Sequence, residues 1–296
     1  MQTDIGIYSA IELFFAAKII WLFDVIPMPG GSLSLFFLFL NLVIKLFSDS
    51  YTSSKIGTIL IHIGILFFLF GAFFSTKLSN EGVMLVKEGD RVNFFISDSS
   101  YSLLFTNGVD TFSIPIVNNN SIVNKKTMRI NALGKIFDLD VKEFYKNCDL
   151  DIVNDKKIFY KVKGRHTFPE TEYDKAGVLI LINANTYHVI EDINLPYSSF
   201  DNIEVKLIKS RVYLPFHISL LHFEKNVYLK TNMAKSYKSS ILIDHRIMDM
   251  QYKFDIQMNK PFRFNGYTFY QTSFIDEDKI ITSVFTVVNN PGNFIF

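Results

Sequence analysis

The sequence predicts a membrane-anchored protein, with an α-helical region at about residues 1–79 and a mainly β external domain at 80–296. Apolar residues make up 49% of the chain, and they concentrate in its first quarter. Beyond Glu81, short segments rich in Val, Ile, Phe, Tyr and Thr alternate with Asn, Asp, Gly and Ser, which is typical of strands and turns. The length fits about two domains as a prior.

The clearest membrane span is the stretch from Gly57 to Thr76, which carries no formal charge. Its twenty residues would rise ~30 Å as a helix, the hydrocarbon thickness of a bilayer. Gly57, Gly64 and Gly71 recur at a spacing of seven and form one stripe on that helix. Such a stripe lets a neighbouring helix approach closely.

His62 is the only strongly polar side chain in this stretch and is the first functional candidate. It shares a helix face with Leu66, Leu69 and Phe73, an apolar wall that would suit a flat apolar cofactor. A polar group in a lipid span needs a partner or a cavity. One interpretation is a metal ligand, and the other is a hydrogen bond to Asn41 or to a backbone carbonyl of an adjacent span.

Two further apolar segments precede this helix. Residues 7–27 predict a helix, but Glu12, Lys18 and Asp24 interrupt it, so it either lies along the interface or packs a polar stripe against other helices. Residues 32–47 predict a second span, which is slightly short.

The loop at about 48–56 indicates the topology. Lys45 and Lys55 flank it against the single acidic residue Asp49, so the positive-inside rule places it in the cytoplasm. The helix at 57–76 then runs outward and delivers the β domain to the periplasmic side. We therefore expect a multi-pass protein of the bacterial inner membrane.

Nine segments of the external region combine β-branched and aromatic residues with flanking turn residues. These strand candidates are Val83–Val86, Val92–Ile96, Phe159–Val162, Val178–Ile182, Val205–Ile208, Ile241–Ile243, Phe254–Met258, Tyr267–Phe274 and Ile280–Val288.

Several classes of function are disfavoured. The net charge of +1 gives no basic footprint for nucleic acid. The single cysteine, Cys148, forms no intrachain disulfide, and no CxxCH marks a c-type cytochrome. His217 and His222 are five residues apart, which on a regular strand puts them on opposite faces and makes them a poor metal pair. No catalytic motif is present, so we assign no catalytic residue and no metal site except through His62.

At this point two blocks of residues resemble the ResB-like family, the CcsB part of system II cytochrome c biogenesis. The first is the His62 span with the turn that follows it, where Glu81, Gly82, Met84, Glu88 and Gly89 match in order. The second block comprises Leu214–Phe216, Lys235–Tyr237, Met258–Gln271 with Asn259, Pro261, Gly266 and Gln271, and Asn290–Gly292.

The resemblance implies a subunit of the system II cytochrome c synthase. Such proteins work with a CcsA-type WWD-domain haem handling protein, separate or fused, to carry haem b across the membrane. The haem is then attached to the CxxCH thiols of apocytochrome c, with a thioredoxin-like thiol reductant as a further partner. His62 matches the family histidine that is thought to ligate haem iron. The alternative is a membrane-anchored periplasmic scaffold that does not ligate haem.

The chain departs from the family pattern in three places. His222 stands where an acidic residue usually precedes Phe223, and Tyr228–Thr231 replaces a Tyr-Pro-Gly-Thr loop. A last transmembrane helix normally follows the Asn-Pro-Gly motif, whereas this sequence stops at Phe296. We therefore expect a fragment, a split gene product or a piece of a fused synthase that does not complete haem ligation alone.

Overall fold

The computed structural model describes most of the chain outside a few gaps. The described residues are 14–15, 17–23, 25–48, 56–118, 121–123, 126–152, 160–164, 174–191, 199–228, 234–245, 250–277 and 280–290.

Two apolar helices occupy the segments predicted as spans. Helix α1 covers Gly31–Ser48 and helix α2 covers Ile56–Leu78. Each is long and apolar enough to cross a membrane, with mean hydropathies of 1.8 and 2.3 over their most apolar windows. Almost none of either window is buried inside the chain, 0% and 6% respectively. The two helices pack against each other.

The third predicted helix, at 7–27, is not seen. Residues 1–13, 16 and 24 lie outside the described part of the chain, residues 14–15 are helical, and the segment after them forms a hairpin of β1 (Ile19–Leu22) and β2 (Ile26–Pro29). The prediction was wrong there for a local reason. The Ile-Ile-Trp-Leu sequence of β1 favours a pleated strand, and the prolines of β2 disfavour a helix interior but are tolerated in a short edge strand.

The region after α2 is β-rich, as predicted, and every strand candidate overlaps a strand, although Phe159 lies outside the described residues. The strands are β3 (Asn80–Lys87), β4 (Arg91–Thr106), β5 (Thr111–Asn118), β6 (Ser121–Ile122), β7 (Met128–Ala132), β8 (Lys135–Tyr145), β9 (Cys148–Ile152), β10 (Tyr160–Gly164), β11 (Gly177–Ile182), β12 (Asn185–Ile190), β13 (Ser199–Phe200), β14 (Ile203–Val227), β15 (Ala234–His245), β16 (Met250–Gln257), β17 (Phe262–Phe264), β18 (Tyr267–Glu277) and β19 (Ile280–Asn289).

Most of these strands form one eleven-stranded antiparallel sheet. Its main order is β16-β15-β14-β4-β3-β19-β18-β17, with β5, β6 and β13 attached beside β4 and β14. Strand β3, which follows α2 after a single residue, therefore lies in the middle of the sheet. The sheet curls, because β15 and β16 from one end contact β18 from the other.

Two hydrophobic cores divide the β region into two lobes that share the long strands β4 and β14. The curled-sheet lobe encloses a core from β3, β4, β14–β16, β18 and β19, with Met84, Phe216 and Phe285 fully buried. In the sandwich lobe, the sheet β12-β11-β8-β7 packs on the far halves of β4 and β14. Apolar residues that alternate along these strands, such as Leu139 and Ile180, fill that second core.

Candidate functional site

His62 lies on α2, six residues after the helix begins, and is partly exposed. Its Nδ1 is 2.7 Å from the carbonyl oxygen of Thr58, one turn earlier in the same helix. The sequence had suggested Asn41 or a carbonyl of another span as partner, so the observed partner is a local one. A carbonyl only accepts, so Nδ1 carries the proton of the neutral ring and Nε2 carries the lone pair.

The predicted apolar wall lies on the same face of α2. Leu66 and Leu69 are partly exposed, and the Phe73 side chain is 61% exposed. On the glycine stripe, a Cβ added to Gly57 or Gly64 would meet no atom within 4 Å. Among the described residues, no helix packs onto these two glycines, and this part of the stripe is open to another chain.

Helix α2 is joined to the curled-sheet lobe through a polar junction. The Ser79 hydroxyl donates to Glu81 Oε1 at 3.3 Å, immediately after the helix ends. Asn290, at the end of β19, donates from Nδ2 to the hydroxyl of Ser75 in the last turns of α2. These contacts give two residues of the matched motifs, Glu81 and Asn290, a role at the helix end, so the helix that carries His62 is tied to the sheet.

Gly82 permits a close approach between two central strands. A Cβ at this buried position of β3 would lie 2.1 Å from the carbonyl oxygen of Ile96 and 2.7 Å from the ring of Phe95, both on β4. Side-chain carbons do not approach other atoms so closely, so a larger residue requires the strands to separate.

Asn259 and Gly266 occupy turns that need a left-handed backbone. Asn259 has φ 62° in the connection from β16 to β17, one residue before Lys260 and Pro261. Asn265 and Gly266, with φ 49° and 80°, form the two-residue loop between the paired residues Phe264 and Tyr267. Positive φ at both central positions is the signature of a type I′ hairpin turn.

Gln271 lies in a buried hydrogen-bond network inside the curled-sheet lobe. The hydroxyls of Ser239 on β15 and Ser283 on β19 both donate to its Oε1, the second at 3.1 Å. The two hydroxyl oxygens are 2.7 Å apart, and Gln271 Nε2 donates to the Ser273 carbonyl at 2.8 Å. The network therefore ties together strands from opposite ends of the curled sheet.

The two histidines dismissed as a metal pair lie on one face rather than on opposite faces. A register shift between Leu220 and His222 changes the alternation of β14, because Leu220 and Phe223 both face the core. His217 and His222 remain ~16 Å apart along the strand. His222 Nδ1 instead lies 3.2 Å from Glu88 Oε1. No three His, Cys, Asp or Glu side chains of the described residues gather as a metal site would require.

Sequence reasoning missed the residues that surround the motif positions. Ser75, Ser239 and Ser283 carried no signal, because each is meaningful only through a partner distant in sequence. Lys253 and Phe254 lie on β16 beside Pro261. The sequence signal for them was the run Tyr252-Lys253-Phe254, in which a basic residue lies between two aromatic residues.

A family model and a curated protein match parts of this chain. The model of the ResB-like family matches residues 184–294, which include Asn259, Pro261, Gly266 and Gln271. The ResB-like resemblance is confirmed. Protein NrfI of Wolinella succinogenes is 23% identical to this chain over 249 residues, which are 79% of the chain. The chain spans about a quarter of the length of that curated relative.

Proposed function

We propose that this ResB-like chain is a CcsB-type subunit of a system II cytochrome c synthase. In this role it helps to carry haem b across the inner membrane and to present it for attachment to the CxxCH thiols of apocytochrome c. The ResB-like match over 184–294 and the similarity to NrfI support a role in cytochrome c biogenesis.

The helices support placement in a membrane. Helices α1 and α2 have the length and hydropathy of spans, yet their apolar windows are 0% and 6% buried within the chain. A helix that is apolar all round needs an apolar environment, and the chain itself supplies little of it. Lipid or partner helices supply the rest.

His62 carries the proposal because its ring suits an axial ligand. The hydrogen bond from Nδ1 to the Thr58 carbonyl fixes the tautomer and orients the ring, which is how ligating histidines are commonly held. Nε2 then presents its lone pair beside the wall of Leu66, Leu69 and Phe73. Haem iron, when bound, accepts an imidazole nitrogen of this kind. This chain's contribution is to orient the ring and to give the macrocycle an apolar surface.

The second half of the site belongs to a partner. The open glycine stripe at Gly57 and Gly64 fits a helix of a CcsA-type WWD-domain protein, separate or fused. The β region lies at the far end of α2 from His62 and is held to it through Ser75 and Asn290. On this proposal it supports the partner, the apocytochrome or a thioredoxin-like thiol reductant on the periplasmic side.

The test is the visible absorption spectrum of the chain purified with a CcsA-type partner. We expect the Soret and α bands to vanish in His62→Gly and to return when imidazole is added, because free imidazole can enter the space left by the ring. Ile61→Gly is the matched control, since it costs α2 the same helix propensity at an exposed neighbouring position.

An unchanged spectrum in His62→Gly would leave haem ligation to the partner. The chain would then be a membrane-anchored scaffold, in which the bond to Thr58 merely satisfies one ring nitrogen of His62 within its own helix.

A further inference from the structure

We propose a second tetrapyrrole site, a groove on the curled-sheet lobe that binds the carboxylate-bearing edge of a haem through two lysines and an aromatic wall. The inference rests on the proposed function and adds to it a second haem-binding site on the periplasmic side. The groove lies where the turn before β17 approaches the edge strand β16, and its volume is about 500 Å³. Small-molecule sites commonly measure ~300–1,000 Å³.

The wall of the groove is aromatic because the two edges of the curled sheet meet there through side chains and not through a ladder of backbone hydrogen bonds. Strands β16 and β17 are the two edges of the curled sheet, and among the described residues no ladder pairs them, since the bridge between Gln257 and Lys260 belongs to the turn that connects them. The Phe254 and Phe262 rings, 4.4 Å apart, fill the space between these edges. Phe254 remains 36% exposed, so a planar aromatic ligand can lie against it.

The charged side chains of the groove favour a ligand with two negative charges. Lys253, Lys260 and Asp255 line it. Asp255 is already engaged, since Ser240 donates to its carboxylate at 2.7 Å and Lys238 Nζ lies 3.1 Å away. These two hydrogen bonds hold the pKa of Asp255 below its usual range.

The two remaining cations are Lys253 and Lys260, and the charge of Lys260 also helps to lower the pKa of Asp255. Among the described residues, neither Lys253 nor Lys260 forms an ion pair within 4.0 Å. The groove therefore presents two ammonium groups beside a ring face, which matches the two propionates and the macrocycle of haem.

The register of the sheet connects the groove to the end of α2 across three neighbouring strand pairs, about 14 Å at the usual strand spacing. Phe262 pairs with Phe269, Phe269 pairs with Val287, and Val287 pairs with Gly82. This row crosses β3 four residues after Leu78, where α2 ends. The row begins ~13 Å of extended chain from the end of α2, and the groove lies at its other end.

The groove and His62 differ in what they recognise. No histidine, cysteine or methionine lines the groove, so it offers carboxylate and ring contacts but no ligand for iron. Binding there must be independent of the metal, whereas binding through His62 requires it. Iron-free protoporphyrin IX, which keeps both propionates, therefore tests the groove without any contribution from iron ligation.

The test titrates the full chain in detergent with iron-free protoporphyrin IX and follows porphyrin fluorescence. We expect Lys253→Glu with Lys260→Glu to weaken binding at least tenfold, and His62→Ala to leave it unchanged. Lys142→Glu with Lys206→Glu is the matched control, because it makes the same charge change on two surface lysines of the sandwich lobe. The dimethyl ester of protoporphyrin should not compete.

Equal affinity in the groove and control variants would overturn the proposal, as would equal binding of the dimethyl ester. Since three of the four lysines are exposed and Lys206 is only half-buried, loss of folding is not expected to obscure the result. If His62→Gly leaves the haem spectrum intact while the groove variant loses protoporphyrin, haem ligation by His62 fails and the groove stands. The reverse pattern removes the groove and keeps the proposed function.

Discussion

The curled-sheet lobe and the sandwich lobe share β4 and β14 but reach closure in different ways. The sandwich lobe stacks two sheets over an apolar core, which ordinary alternation along its strands produces. The curled-sheet lobe bends one sheet until its ends meet, and it closes the contact with aromatic rings and with the Gln271 network. Six of the matched motif residues lie in this second lobe or at its junction with α2: Glu81, Gly82, Asn259, Pro261, Gly266 and Gln271.

The difference teaches that the motif residues occupy positions whose backbone or buried polar contacts accept only particular residue types. Gly82 allows a close approach, Asn259 and Gly266 adopt positive φ, and Gln271 satisfies buried hydroxyls. Each of these needs a particular residue type, whereas the sandwich core accepts many apolar side chains of suitable volume. Changes at motif positions should therefore cost more stability than comparable changes in the sandwich lobe.

Gly82→Ala should give the largest effect. Its Cβ would lie 2.1 Å from a backbone oxygen, which cannot rotate away. Overpacking of this kind costs ~1–3 kcal/mol, and we expect the upper end because two central strands must separate. Urea unfolding of the full chain in detergent, followed by circular dichroism, measures the loss. Gly64→Ala is the control, since its Cβ meets no atom within 4 Å. Equal midpoints for the two variants would contradict this explanation.

Gln271→Leu should follow in magnitude. The substitution leaves Ser239 and Ser283 buried without their shared acceptor, and an unsatisfied buried polar group costs ~1–3 kcal/mol. The sandwich lobe supplies the comparison in Ser102 and Ser210, whose hydroxyls are 2.6 Å apart and buried. Replacing both serines by alanine removes donor and acceptor together, so the double variant should stay within ~1 kcal/mol of the wild type.

The same urea experiment decides between these two outcomes. If the double serine variant lost as much stability as Gln271→Leu, the distinction between a shared acceptor and an isolated pair would be wrong.

Much of the fold could be predicted because it follows from local patterns. The apolar runs gave α1 and α2, and the β-branched segments gave the strands, since periodicity and propensity act within a few residues. The hairpin at Ile19–Pro29 was missed because apolar composition alone does not separate a helix from a short strand. The shared face of His217 and His222 was missed because a bulge changes the alternation, and its position depends on pairing with β15.

The two proposed sites differ in how visible they are in the sequence. His62 stood out because one polar group in an apolar run is visible in sequence. The groove was not visible, because Lys253 and Lys260 meet only through the approach of β16 and β17. Long-range pairing of this kind leaves no fixed spacing in the chain.

Tyr101→Phe should change the response of the sandwich lobe to alkali. Burial of Tyr101 and a hydrogen bond from its hydroxyl to Glu191 raise the pKa of this phenol above its usual value. The unfolded chain releases this proton near pH ~10, but the folded chain retains it, so stability is full below that pH and falls as the pH rises above it. Tyr101→Phe should remove this contribution to the loss of stability at alkaline pH.

Urea midpoints between pH 8 and 11 measure the effect. Tyr213→Phe is the control, because that side chain is 64% exposed in the curled-sheet lobe. Parallel curves for Tyr101→Phe and wild type would show that the phenol does not govern the alkaline slope.

The smallest expected effect compares one turn type in both lobes. Asn265-Gly266 joins β17 to β18 with φ 49° and 80°, and Asn183-Ala184 joins β11 to β12 with φ 48° and 68°. Left-handed backbone costs a non-glycine residue ~1–2 kcal/mol, while glycine loses ~0.5–1 kcal/mol more conformational entropy on folding. Gly266→Ala should therefore lower the free energy of unfolding by up to ~1 kcal/mol, and Ala184→Gly should raise it by a similar or smaller amount. Urea midpoints that shift in the same direction for both variants would mean that the left-handed backbone does not favour glycine in both turns.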